Sequence, residues 1–249
     1  MGNDFATFVV VGFLAQVVDG ALGMAFGLLT TTVLLAFGVP PAQASALVHT
    51  AEIFTTGASA ASHIMQRNVQ RRLVFQLAVT GVVGAIAGAW LLSNVDAAIV
   101  RPFVSAYLLL LGLSILWQAV QNPPEKDSVP GFTGPLGLIG GFLDAAGGGG
   151  WGPTVTCTLI GAGRPPRFVI GSVNTAEFFV TTAAATTFFI ELGSVPLEAF
   201  LGLTLGGVAA APFGALLARH MPPRVLMTAV GLVISCLSGW QIARSVGLL

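Results

Sequence analysis

Phe142 to Thr154 reads FLDAAGGGGWGPT: one aspartate, four consecutive glycines and a proline, set in an otherwise apolar stretch. Glycine and proline are the poorest helix formers, so a helix entering this stretch must break inside it. The rest of the chain decides what surrounds the break. Of its 249 residues 55% are hydrophobic and only 8% charged, and the mean hydropathy is +0.88. A soluble domain carries about 25% charged residues, so this chain has too little polar surface to cover a water-exposed globule. The expected fold class is an all-α polytopic membrane protein. The formal net charge is zero, and without a basic patch nucleic acid is not an expected partner. Cys157 and Cys236 lie in apolar segments and form neither a disulfide framework nor a metal spacing. No metal and no cofactor is expected.

Apolar stretches run over 5–37, 42–64, 73–92, 98–119, 135–160, 168–190, 195–218 and 225–246. Six of the eight have the ~20 residues that cross a bilayer. The first and fifth are longer or broken by glycine. The polar connector QNPPEKDSVPG, 121–131, divides the chain into a first transmembrane repeat (1–120), a connecting loop (121–134) and a second repeat (135–249). The halves share a register. Adding 125 carries Asp19 to Asp144, Gly23 to Gly148, Gly27 to Gly152, Pro40-Pro41 to Pro165-Pro166, Thr50-Ala51-Glu52 to Thr175-Ala176-Glu177, and Thr56 to Thr181. Two acids, a Pro-Pro pair and a TAE triplet do not align by compositional chance.

Charge sets the expected topology. If 5–37 and 135–160 each dip in and return, every half crosses three times and the second half is inverted. Arg67, Arg71, Arg72, Lys126, Arg164, Arg167, Arg219 and Arg224 then share one side, with Arg101 and Arg244 opposite. If those segments cross once, the split is five against five. The expectation is therefore two inverted repeats, each a glycine-broken re-entrant or split hairpin plus three transmembrane helices, with 66–72 facing the cytoplasm across the cytoplasmic membrane.

Non-helical backbone survives at membrane depth only where protein or a wet cavity surrounds it. Inverted-repeat transporters build midplane sites from such breaks. FLDAAGGGGWGPT and its mate VVDGALGMAFGLL (17–29) are thus the candidate binding elements: Gly23, Gly27, Gly148, Gly149, Gly150 and Gly152 for close backbone approach, Thr31 and Thr156 as hydroxyl donors, and Trp151 as a wall. Close helix packing is the plainer use of such glycines. A polar stripe, Ser45, His49, Glu52, Thr56, Ser59 and His63, keeps one helical face; Asn174, Glu177 and Thr181 continue it in the second half. Ionisable groups in a span by default mark function. Asp19, Asp144, Glu52, Glu177 and His49 are the candidate proton or ion carriers. Capping of the broken helices is the plainer role for Asp19 and Asp144. A static hydrogen-bonding role is the plainer reading for His49 and both glutamates. Trp90, Trp117 and Trp240 read as interfacial anchors.

DGALGMAFG and DAAGGGGWGP, each followed by a short proline-containing loop and a Ser/Thr-rich helix, together with the basic HIMQRNVQRR, resemble the TauE/SafE sulfite and organosulfonate exporter family (TSUP). The resemblance covers nearly the whole chain. It implies a carrier of small sulfur-containing or organic anions such as sulfite, sulfoacetate or sulfonates, often in the export direction, with the glycine positions matching the family's motifs. The acidic pair Glu52 and Glu177 does not come from that resemblance. The expected function is a secondary transporter with a small anionic substrate, a proton or Na+ as coupling ion, and membrane lipid around it. Small-xxx-small patterns such as Gly84-xxx-Gly88 leave a homodimer open. An ion channel built on paired broken hairpins is the competing reading. The chain has no Walker GxxxxGK[ST], no GxGD and no GxSxG, so neither ATP-driven transport nor an enzyme is expected.

Overall fold

Gly148, Gly149 and Gly150 have φ of +73°, +140° and +139°, a region that side chains with a Cβ rarely enter. That is where the chain turns. The structure is a computed structural model and describes residues 5–22, 24–121, 132–162, 164–220 and 222–245. Most of the connector, 122–131, lies outside the described residues, as does Gly23.

The described residues form ten α-helices and no strand: α1 (Phe5–Leu22), α2 (Phe26–Ala36), α3 (Pro41–Met65), α4 (Arg71–Asn94), α5 (Ala97–Ala119), α6 (Thr133–Gly147), α7 (Cys157–Gly161), α8 (Pro166–Leu192), α9 (Leu197–His220) and α10 (Pro223–Ser245). A π-helical turn, Gly152–Thr156, joins the glycines to α7. Pro153 at its start lacks an N–H, which a first helical turn tolerates. By length and composition, Arg71–Asn94, Ala97–Ala119 and Phe168–Leu192 are long and apolar enough to cross a bilayer among the described residues. The chain is an all-α polytopic membrane protein.

Burial follows the same logic. Phe75, Val83, Ile86 and Trp90 of α4 and Phe103, Leu110 and Trp117 of α5 are exposed, whereas Thr30, Ser45, His49, Ser172 and Thr181 are buried. Apolar side chains face outward where lipid would cover them, and polar ones face inward, where Ser45, His49, Ser172 and Thr181 find hydrogen-bond partners. Trp90, Trp117 and Trp240 all lie on the outer surface.

The main packing pairs are α1 with α9, α4 with α6, α5 with α10, α4 with α8, and α3 with α8. Adding 125 exchanges the first two pairs and maps α5–α10 and α3–α8 each onto itself, whereas α4–α8 maps onto the less extensive α9–α3 packing. Glycines allow the close approach: a Cβ on Gly84 would collide with the Leu138 carbonyl, and one on Gly206 with the Val9 carbonyl. Repeat mates run antiparallel. Asn174 Nδ2 donates to Ser59 Oγ at 2.9 Å and Thr181 Oγ1 to the His49 carbonyl at 3.1 Å. Ser105 Oγ donates to Gln241 Oε1 at 3.0 Å, while Gly112 lies against Ser235.

Each broken segment is a hairpin in its contacts. Gly137 of α6 lies against Leu77, early in α4, and Gly88, further along α4, abuts Phe142 and Ala146. After the glycines the chain comes back, with Val155 beside Gly140 and Arg164 Nη2 donating to Gln70 Oε1 at 2.6 Å. Both arms therefore open toward the N-terminal end of α4. At the end of the first hairpin Arg101 Nη2 donates to the carbonyls of Gly38 and Val39, both at 3.1 Å.

Candidate functional site

A broken helix leaves carbonyls at one end and N–H groups at the other without partners. The chain supplies those partners in repeat-related fashion. Asp19 Oδ1 accepts from the Phe26 N–H at 3.2 Å, capping α2. Asp144 Oδ1 accepts from the Trp151 N–H at 2.8 Å, capping the returning arm of the second hairpin. Phe26 and Trp151 are themselves 125 apart, so the same acid caps the same N–H in both halves. The capping role foreseen for these acids is present. Their carboxyls sit where the helix N-termini had been expected to receive an anion.

The two hairpins meet at their breaks. A Cβ on Gly149 would lie 2.5 Å from the Gly27 carbonyl carbon and 2.6 Å from the Leu28 nitrogen, and one on Gly27 would lie 2.9 Å from Gly149 Cα and 3.0 Å from Glu52 Oε1. The first repeat also closes the end of α6: Thr31 Oγ1 donates to the Gly148 carbonyl and Ser45 Oγ to the Ala145 carbonyl, the latter at 2.7 Å. Gly152 packs against Met24, and Trp151 is fully buried with Nε1 donating to the Val173 carbonyl at 3.2 Å. Trp151 therefore packs in the interior, against Gly81 and Gly140, and not at the outer surface.

His49 reaches across from α3. Its Nδ1 lies 2.8 Å from the Ser45 carbonyl and its Nε2 3.2 Å from Asp144 Oδ2. A carbonyl only accepts, so Nδ1 carries a hydrogen. The contact between Nε2 and Oδ2 then needs one further proton, placed on either atom. Without it a lone pair would face a carboxylate. The pair is fully enclosed, with side chains 0% and 3% exposed. The repeat mates of His49 and Asp144 are Asn174 and Asp19, and Asn174 turns to Ser59 instead. The pseudo-symmetry is broken at the titratable position.

Glu52 is buried, and its Oε2 lies 3.4 Å from Thr181 Oγ1. Glu177 is half-buried and within electrostatic reach of Glu52, Asp144 and Asp19. Thr56 Oγ1 turns back to the Glu52 carbonyl at 2.6 Å, and buried Thr156 Oγ1 finds no partner among the described residues. The structure thus gathers Asp19, Gly27, Thr31, His49, Glu52, Asp144, Gly148, Gly149, Trp151, Gly152 and Thr181 around the crossing. Asn174, at the outer end of the polar stripe, pairs with Ser59. Tyr107, the chain's single tyrosine, was not foreseen: its ring lies against Gly147 and its hydroxyl against Gly150.

The family model described as Sulfite exporter TauE/SafE matches residues 8–240. The chain belongs to the TauE/SafE family. It is 44% identical over 233 residues to the probable membrane transporter protein YtnM of Bacillus subtilis (strain 168), with 90% of this chain and 78% of the relative covered. It is 25% identical over 194 residues to the probable membrane transporter protein ORF9 of Sinorhizobium sp, covering 76% of this chain and 68% of that one. No solved structure matches. As a TauE/SafE protein the chain is a membrane transporter and not an enzyme. Its small-molecule substrate and lipid surroundings follow from that membership. The family match spans both hairpins and the connector between the repeats.

Proposed function

We propose that this TauE/SafE transporter carries a small sulfur-containing or organic anion, of the sulfite, sulfonate or sulfoacetate type, across the cytoplasmic membrane together with a proton, in the export direction. The observation that supports the reading most is the His49–Asp144 contact, which joins the two repeats through one proton beside the crossing of the hairpins. A protonated Asp144 is a weaker acceptor for the Trp151 N–H, and an anion can then approach that helix end. With the proton gone, carboxylate and anion repel each other. Proton and anion therefore bind together. For a divalent anion the pair moves one net negative charge, and an inside-negative potential drives that outward by about 2.3 kcal/mol per 100 mV.

Glu52 and Glu177 are assigned as further sites that hold protons, because four carboxyls within electrostatic reach, Glu52 and Asp144 buried and Asp19 and Glu177 half-buried, repel one another unless some are neutral. Antiparallel packing of α3 on α8 and of α5 on α10 supports inverted repeats: two mates crossing one bilayer in opposite directions are inverted. Arms that open at the same end support re-entrant hairpins. Rocking of one repeat against the other, with the Gly27–Gly149 crossing as pivot, gives alternating access. Na+ in place of the proton is the second reading, favoured by the same cluster of carboxyls; the hydrogen on His49 Nδ1 speaks for the proton. Flux of labelled sulfoacetate in proteoliposomes under imposed pH and Na+ gradients separates the two.

A further inference from the structure

A phenol hydroxyl taken out of water without a hydrogen bond is costly. Tyr107 carries one into the interior. Its ring lies against Gly147, and a Cβ on Gly150 would sit 2.1 Å from its hydroxyl oxygen. That oxygen is buried and makes no hydrogen bond of normal geometry among the described residues, although the Thr154 side chain lies within reach. Phenylalanine would fill the same space without the cost, so packing accounts for the ring and not for the oxygen. A second donor lies at the same turn. Gly150 is buried, its carbonyl accepts from the Thr154 N–H, and its own N–H donates to no group among the described residues. Buried backbone N–H groups without a partner are rare.

Behind the ring there is room. Tyr107 and Gly147 line a cavity of about 340 Å³ between α4, α5 and α6, whose other walls include Leu92, Val104, Phe142 and Ala146. Tyr107 is the polar side chain among the lining residues, and the lining Leu91 and Phe103 are exposed toward the lipid. The repeat mates of Tyr107 and Gly150 are Leu232 and Ala25, so this pair of donors belongs to one hairpin only. It is the hairpin that holds Asp144, whose Oδ1 accepts from the next N–H along, that of Trp151. We infer that Tyr107 is a substrate-binding residue: one oxygen of the transported anion inserts between the Tyr107 hydroxyl and the Gly150 N–H, both donate to it, and the ring moves back into the cavity. Hydrogen bonds to an ionised acceptor are shorter and stronger than neutral ones, which offsets the displacement of the ring. The inserted oxygen lies beside the N–H that Asp144 caps, so anion and proton meet at one turn. The inference rests on the anion-carrier reading above and names the groups that hold the anion.

The test uses the full chain in phosphatidylcholine nanodiscs with sulfoacetate as the probe. Tyr107 is the chain's single tyrosine, so growth on a ring-fluorinated tyrosine places one kind of fluorine label in the protein, on this ring. Calorimetry is expected to show that wild type binds sulfoacetate, and the fluorine resonance to move on titration with the same dissociation constant. Tyr107→Phe removes one oxygen and keeps the ring. It is expected to melt no lower than wild type and to bind sulfoacetate about tenfold or more weakly, the loss of one hydrogen bond to a charged group. A tyrosine that only packs would give a stationary resonance and a phenylalanine variant of wild-type affinity. That result, with wild type binding sulfoacetate, would overturn the inference and leave the carrier reading standing. Failure of the wild-type protein to bind sulfoacetate at all would overturn the carrier reading for this anion and the inference with it.

Discussion

The backbones of Gly27 and Gly149 touch, each leaving no room for a Cβ on the other. One glycine from each repeat therefore sets how closely the two hairpins cross, and that crossing places Glu52, His49 and Asp144 around one point. Gly149→Ala must both separate the hairpins and take φ +140° with a side chain. The expected cost is about 2–4 kcal/mol together with loss of transport. Gly161→Ala, which has nothing within 4 Å of an added Cβ, is expected to melt and transport as wild type. Thermal unfolding in detergent beside a flux assay reads both.

Ala25 occupies the position equivalent to Gly150 and has φ +105°. A side chain there costs of order 1–3 kcal/mol. Ala25→Gly releases that strain while giving up some chain entropy, so a net stabilisation of about 1 kcal/mol is expected, seen as a higher melting temperature. A lower one would show that the Ala25 side chain contributes packing greater than its strain.

The equivalent acids are expected to differ in function although they cap alike. Asparagine caps as well as aspartate, so Asp19→Asn and Asp144→Asn should both remain folded. Asp19→Asn keeps pH-driven flux, because Asn174, the repeat mate of His49, turns to Ser59 and no histidine pairs with Asp19 among the described residues. Asp144→Asn loses the response to an imposed pH gradient. Equal responses in the two variants would sever coupling from the histidine.

Much of this was readable before any coordinates. The +125 register placed both breaks and both TAE triplets, and the apolar stretches placed most of the long helices, because glycine, proline and acid interrupt an apolar pattern visibly. The polar stripe from Ser45 to His63 predicted an inward face, and α3 buries Ser45, His49 and Glu52. What could not be read was which residues of one half meet which of the other. Register pairs Asp144 with Asp19 in sequence, whereas in space it pairs Asp144 with His49, and no periodicity encodes a contact across 95 residues. Tyr107 was missed for a related reason: it sits on a helix that looks lipid-facing by composition.

The proposed inversion, with one hairpin opening toward each side of the membrane, predicts accessibility. In intact cells a membrane-impermeant thiol reagent should label a cysteine introduced at Ser194 and not one at Gln66, both being exposed positions. Background from native Cys157 and Cys236 is removed by serine replacement. Labelling of both from the same side would contradict inverted repeats.

The central claim is that one proton shared by His49 and Asp144 moves with the anion. The most direct measurement is efflux of labelled sulfoacetate from proteoliposomes, with an acid-inside gradient imposed and the membrane potential clamped, for wild type, His49→Gln and Asp144→Asn. Saturable wild-type efflux accelerated by the gradient, with both variants retaining exchange but losing the acceleration, is the predicted result. Variants that respond to the gradient as fully as wild type would contradict it.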